Sequence, residues 1–276
     1  MAPQKMWLNV FATVKTIWQK SWQSLWQGEK RMLPVVIAGY GAILVLMAAM
    51  FFYVALTSQT GKPFSLQEVS AHTVDIIIGA ILFLLVGNFV LAALIARAYA
   101  WINNDHAFAA KTWHIAHRTF LKLFAIHLAV LVVDVGLQML IVNLAQHTPQ
   151  IIHIIIAFLG FFLYMTVLAI PFVTYTGIVG ESMPFRKTCN QGIKLLFSNW
   201  GYVISVMILS IFLPTMIVFS LMHIPVINNI VALFILFVYY PFLLVVISFT
   251  NISIYTNAKK LYQAKMANKG IDIKQA

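Results

Sequence analysis

Residues 111–138 read KTWHIAHRTFLKLFAIHLAVLVVDVGLQ. The stretch opens as a basic amphipathic segment, with Lys111, Arg118 and Lys122 set among Trp113, Phe120 and Leu121, and runs without a break into an apolar span. A single acid, Asp134, interrupts that span. Uncharged apolar runs longer than about 18 residues are the signature of membrane-crossing helices. Working outward, the same sequence of events recurs: a basic, aromatic surface segment feeds a hydrophobic hairpin, three times along the chain.

Composition agrees. Of 276 residues 62% are hydrophobic and 9% charged, and the mean hydropathy is +0.90. Soluble domains carry roughly 25% charged residues, so water is not the intended solvent. The formal charge of +11 would suit nucleic acid only if it formed a basic face on a soluble module. Here it is confined to short segments between apolar spans, which excludes nucleic acid as the expected partner and points to anionic lipid headgroups. One cysteine, Cys189, leaves no internal disulfide and no CxxC motif.

The sequence predicts an all-α polytopic membrane protein with six spans at about 33–56, 73–100, 121–145, 151–179, 200–222 and 229–256. Residues 1–31 are expected to form an amphipathic interfacial helix, with Trp7, Phe11, Val14, Trp18, Trp22 and Leu25 on one face. The same stripe would also suit packing on the protein's own bundle. Ala92, Ala96 and Ala100 form a small-residue stripe for close helix approach. Pro171 is expected to kink or end the regular part of the fourth span, and Pro214 and Pro241 lie in the fifth and sixth. Residues 57–72 read as a polar loop, and residues 257–276 as a basic, weakly amphipathic tail that frays after Gly270.

Orientation follows from counting cations. Seventeen of the 18 Lys and Arg residues fall on one side of the predicted bilayer, in short segments, and only Lys62 falls on the other. The positive-inside rule makes the crowded side cytoplasmic, with both termini there. The seven tryptophans, Trp7, Trp18, Trp22, Trp26, Trp101, Trp113 and Trp200, all lie in or beside segments on that side, where interfacial anchoring would hold them.

The basic segments also align with one another. Lys111–Thr112 matches Lys187–Thr188 without gaps, and the register carries Asp105 onto Glu181, Arg118 onto Lys194 and Phe124 onto Trp200. Lys15–Thr16 begins a shorter, decaying third match. This arrangement resembles a broad family of six-span bacterial inner-membrane proteins, a resemblance that rests on residues 181–200 (ESMPFRKTCNQGIKLLFSNW). That family includes the membrane domain fused to glycerophosphodiester phosphodiesterases. The resemblance implies six spans in a bacterial cytoplasmic membrane. In the fused members the chemistry belongs to a separate soluble barrel, and the extramembrane segments here are too short to form one, so no catalytic residue carries over.

Among candidates for chemistry, Asp134 comes first. A carboxylate at mid-span costs at least about 2.5–3.5 kcal/mol on insertion scales and should face the bundle interior. His127, Asp134 and Gln138 share one helical face, and Asn88, Tyr164, Tyr239 and Tyr240 fall at comparable depth on other spans, so a midplane polar layer is expected. It reads either as a relay or substrate contact in a carrier, or as a polar lock between helices. His114 and His117 stand i, i+3 with no nearby thiol, so no metal is expected. No Walker loop, GxGxxG, GxSxG or HExxH occurs, and no cofactor is implied. The leading expectation is a non-enzymatic membrane protein that engages anionic headgroups, or a membrane partner, through its basic Trp-rich face. The alternative is a small-solute or proton-linked carrier built on the Asp134 layer.

Overall fold

The computed structural model describes residues 3–27, 31–57, 73–146, 149–221 and 228–268. The loop expected at 57–72 falls almost wholly outside these residues, as does the end of the tail beyond residue 268. The described chain is helical with no strand. In order come α1 (Pro3–Trp26), α2 (Leu33–Thr57), α3 (Thr73–Asn103), the short α4 (His106–Ala110), α5 (Thr112–Gln146), α6 (Gln150–Val179), α7 (Phe185–Ser198), α8 (Trp200–Met207) and α9 (Leu213–Ser220). The series ends with α10 (Asn228–Phe234) and α11 (Tyr240–Ala267).

Six helical stretches are long and apolar enough to cross a membrane: Leu33–Met50, Ile77–Asn103, Thr112–Leu144, Ile155–Val179, Trp200–Ser220 and Val231–Ala267. The chain therefore has the architecture of a multi-pass membrane protein. Its outward surface fits that solvent. Val132, Met139, Phe158, Leu163, Ile217 and Phe237 are all exposed, a density of bare apolar side chains that a water-soluble surface rarely tolerates.

α11 is the organising element. It packs on α6, α3, α1, α7, α8 and α2, and 39% of the Val231–Ala267 window is buried against 11% of Thr112–Leu144. α5 leans only on α3 and α6 among its stronger contacts. α3 meets its neighbours through a run of small and branched residues, Ala92 to Ala96, all fully buried, with Ala98 and Ala100. Without bulky side chains in the way, adjacent backbones approach closely and dispersion holds the helices together.

The prolines are accommodated rather than disruptive. α6 continues through Pro171 to Val179. Ahead of Pro214 and Pro241 the chain widens into π-helical turns, Ile208–Phe212 and Ile235–Tyr239. There Leu213 N–H donates to Ile208 C=O and Tyr240 N–H to Ile235 C=O. A proline has no N–H, and its ring collides with the carbonyl four residues back. An extra residue in the preceding turn moves that carbonyl, Ser210 or Phe237, out of the way. Apolar pattern carries no trace of such a turn.

As the unbroken run from residue 111 implies, the basic segment and the third span form one 35-residue helix, α5. One boundary differs from the sequence reading. The sixth helix does not stop near residue 256: α11 runs to Ala267, burying Ala258 and half-burying Leu261 and Tyr262. The first eleven residues of the expected tail thus continue the helix, because Ala258, Leu261 and Tyr262 extend the packed face of the span.

Candidate functional site

α1 is built into the bundle. It packs along α11 and α8 and touches α2, burying Val10, Ile17, Ser21, Ser24 and Leu25. The buried face is rotated by roughly a quarter turn from the aromatic stripe, taking about 100° per residue. Small residues explain the choice. Ser21 and Ser24 let the neighbouring helix approach, and their hydroxyls are satisfied within α1, donating to Ile17 C=O (2.7 Å) and Ser21 C=O (2.9 Å). The tryptophans fall at the margin of that contact. Trp18 is half-buried, tilted against Phe242 with ring centroids 5.4 Å apart. Trp22 and Trp26 stay exposed, at 60% and 56%. The Trp7 side chain lies outside the described residues.

The other tryptophans divide similarly. Trp101 is half-buried, edge-on to Phe249, while Trp113 is exposed and stacked on Phe89. Trp200 is half-buried, and its indole N–H donates to Thr166 Oγ1 at 2.8 Å. Three of the six described side chains are therefore open to their surroundings.

α7 shows the amphipathic design most clearly. Thr188, Gly192, Leu195 and Leu196 are buried, with Gly192 pressed on the Val173 carbonyl and the Thr174 methyl group of α6. Ile193 and Phe197 are exposed beside Arg186, and Lys187 and Lys194 occupy the next sector. Burial pushes the Cys189 thiol above its ordinary range. Before α7, Glu181 forms a clamp: its carboxylate accepts from Tyr255 OH (2.8 Å) and from Lys259 Nζ (2.8 and 2.9 Å). Lys259 also stands 5.5 Å from the Tyr255 ring centroid.

Two cavities open on this basic side. One, of ≈ 210 Å³, lies between α7 and α11 and is lined by Lys187, Lys194 and Lys259 among amide side chains. The other, a groove of ≈ 560 Å³, lies between α1 and α11, with Lys20, Lys260, Thr16, Thr256 and Asn257 in its lining.

The intramembrane polar residues resolve into separate contacts. Asp134 Oδ2 accepts from Gln138 Nε2 at 3.0 Å, one turn along the same helix. Its Oδ1 is shielded and has no hydrogen-bond partner among the described residues. Tyr164 of α6 lies within electrostatic reach of Asp134. His127 keeps a shielded Nδ1 without a partner among the described residues. Asn88 is elsewhere: Tyr175 OH points to its Oδ1 (3.5 Å) and to Leu123 C=O (3.2 Å), tying α3, α5 and α6 together. Tyr239 bonds Thr215 across 2.9 Å and its ring meets that of Tyr240, while Tyr40 OH donates to Leu236 C=O. The residues expected in one layer thus fall into separate groups, and no hydrogen bond among the described residues joins those groups. Tyr175, Tyr40 and Thr215 went unremarked in the sequence. The available signal was general: a tyrosine in an apolar span needs a partner for its hydroxyl.

His114 and His117 are exposed, and no group of three or more His, Cys, Asp or Glu side chains gathers among the described residues. Comparison with protein-family models, curated proteins and solved structures gives no match.

Proposed function

We propose that this chain is a non-enzymatic protein of a bacterial cytoplasmic membrane, with both termini inside, that holds anionic lipid headgroups against its basic face. The observation that carries the reading is the segregation of seventeen of 18 cations to one side, alongside exposed Trp22, Trp26, Trp113 and Phe197. Aromatic rings settle at the headgroup level, and each nearby Lys or Arg adds about 1 kcal/mol of attraction to an anionic surface. The three-sector arrangement of α7 supports the same reading, since Ile193 and Phe197 can enter the acyl boundary while Arg186 meets phosphate. The resemblance of residues 181–200 to the six-span family supports the bacterial assignment.

The test uses the full chain reconstituted in vesicles. Bromine-labelled phosphatidylglycerol should quench its tryptophan fluorescence more strongly than bromine-labelled phosphatidylcholine, and added salt should narrow the gap. Equal quenching by the two lipids at low salt would remove the proposal.

A carrier reading draws on one observation, the shielded and unpartnered Oδ1 of Asp134. Gln138 also lines a shallow groove of ≈ 370 Å³ with Asn143 and Gln146. Proton uptake by proteoliposomes that is lost in Asp134→Asn would favour it over the lipid reading.

A further inference from the structure

We propose that the groove between α1 and α11 is a binding site for a phosphoryl group. Its lining comes from four helices that lie far apart in sequence, α1 and α11 as walls with Ile102 of α3 and Tyr202 of α8. Tyr202 of α8 joins them, accepting from Asn257 Nδ2 of α11 at 2.9 Å and meeting Thr13 Oγ1 of α1 at 3.2 Å. Because the Thr13 hydroxyl donates to Asn9 C=O (2.8 Å), the Tyr202 hydroxyl is the donor to Thr13, and the chain of hydrogen bonds runs in one direction from α11 to α1. The floor is therefore fixed before any ligand arrives.

The lining has the composition that phosphate recognition requires. It contains two ammonium groups, Lys20 from α1 and Lys260 from α11, together with Thr16, Thr256 and Asn257, and no carboxylate among the described lining residues. Neither ammonium has a hydrogen bond or ion pair to any described residue. Two ammonium groups lining one groove with no ion-pair partner among the described residues suit an anion, and charge-assisted hydrogen bonds to phosphate oxygens are stronger than neutral ones. The neighbouring cavity under α7 differs on this point, since its Lys259 is already paired with Glu181. At ≈ 560 Å³ the groove also has room for more than a bare phosphate, within the usual range for small-ligand sites of about 300–1,000 Å³. Its hydroxyl and amide groups suit a polyol attached to the phosphate.

Two sources share this chemistry, the headgroup of a phospholipid and a free phosphorylated metabolite. This inference does not depend on the lipid-belt reading, which concerns the exposed tryptophans and can fail by itself in the quenching experiment. The test measures thermal denaturation of the full chain in a non-ionic detergent with inorganic phosphate against chloride at equal ionic strength. In parallel, native mass spectrometry counts retained phosphatidylglycerol against phosphatidylcholine. Lys20→Gln/Lys260→Gln is compared with Lys111→Gln/Lys122→Gln, which removes the same charge from exposed positions on another part of the surface. Stabilisation by phosphate in the wild type and in the control pair, weakened by at least about tenfold in the groove pair, assigns a soluble ligand. Selective retention of phosphatidylglycerol that is lost only in the groove pair, with phosphate inert, assigns a lipid headgroup. If the groove pair does not fold, Thr256→Glu keeps both lysines and places a carboxylate at the mouth; it should abolish either effect. The proposal is overturned if neither probe acts on the wild type, or if the groove variants respond as the control pair does.

Discussion

The Glu181 clamp allows two contacts at one carboxylate to be weighed separately. Lys259 and Glu181 form their ion pair with side chains 33% and 28% exposed, so solvent screens it. Such a pair contributes about 0.2–1 kcal/mol. Tyr255 is 2% exposed and donates to the same carboxylate at 2.8 Å. A hydrogen bond to a charged acceptor is worth about 1.5–3 kcal/mol net. In Tyr255→Phe the carboxylate keeps Lys259 and its access to water, so the expected loss is at the lower end, about 1–2 kcal/mol. In Lys259→Met the buried hydrogen bond survives, and the loss should stay below about 1 kcal/mol. The two changes share Glu181, so the double variant should depart from additivity by about 0.5 kcal/mol or more. Unfolding by titration of sodium dodecyl sulfate into mixed micelles, followed by helical ellipticity, measures all three. A Lys259→Met cost equal to or above that of Tyr255→Phe would refute the reasoning, because the exposed ion pair would then hold the loop to α11.

Gly192→Val should destabilise by about 1–3 kcal/mol through overpacking, since a Cβ there would meet Val173 O at 3.2 Å and the Thr174 methyl group; unchanged stability in the same titration would contradict the tight α6–α7 contact. Tyr175→Phe should cost about 1–2 kcal/mol by removing the hydroxyl shared by Asn88 and Leu123, and a neutral result would show that this node does not hold α3, α5 and α6 together. Cys189 is half-buried and its thiol is pushed up by burial. Only the thiolate is alkylated, so below its folded pKa it reacts more slowly than an ordinary thiol. Its rate should keep rising with pH beyond the ordinary thiol value of about 8.5. A plateau at or below that value in the folded protein, matching the protein unfolded in detergent, would contradict the buried placement.

The six spans were legible because bilayer thickness imposes length and apolarity on each element separately, with no knowledge of its neighbours. Which face of a helix packs depends on neighbours, and there the reading diverged. On α1 the aromatic stripe was the conspicuous pattern, yet the bundle took the face carrying Ser21 and Ser24, because close approach rewards small residues whose hydroxyls are satisfied internally. Depth along a span likewise did not predict pairing. Asn88 and Asp134 lie at comparable depth by residue count, but Asn88 meets Tyr175 and Asp134 bonds within its own helix. The α11 wall of the groove lies at residues 252–261, astride the boundary that hydropathy places between span and tail, so neither segment read alone carries it. Ser253, Thr256, Asn257 and Lys260 recur at helical spacing, and that was the available signal.

The aligned segments show how a repeated design was turned to different uses. Thr112 and Thr188 occupy matching positions, both buried, with hydroxyls donating to Ala109 C=O and Pro184 C=O. Ala116 and Gly192 match as buried small residues. Thr16, in the N-terminal match, is exposed, so that copy does not share the packing. The two better copies part at one place. Lys122–Leu123 favours helix, and α5 runs straight into the membrane. The aligned Ser198–Asn199 offers side-chain hydrogen bonds that compete with the helix ladder, and the chain breaks between α7 and α8. At the break Asn199 Nδ2 donates to Ala258 C=O (3.1 Å), and its Oδ1 accepts from Lys265 (3.1 Å). A continuous helix through residue 199 would hold these groups differently. The break thus fastens the α7–α8 junction to the far end of α11, the same extension that carries Asn257 and Lys260. Both basic cavities therefore rest on α11 continuing past its apolar run, the feature in which the folded chain departs most from its hydropathy pattern.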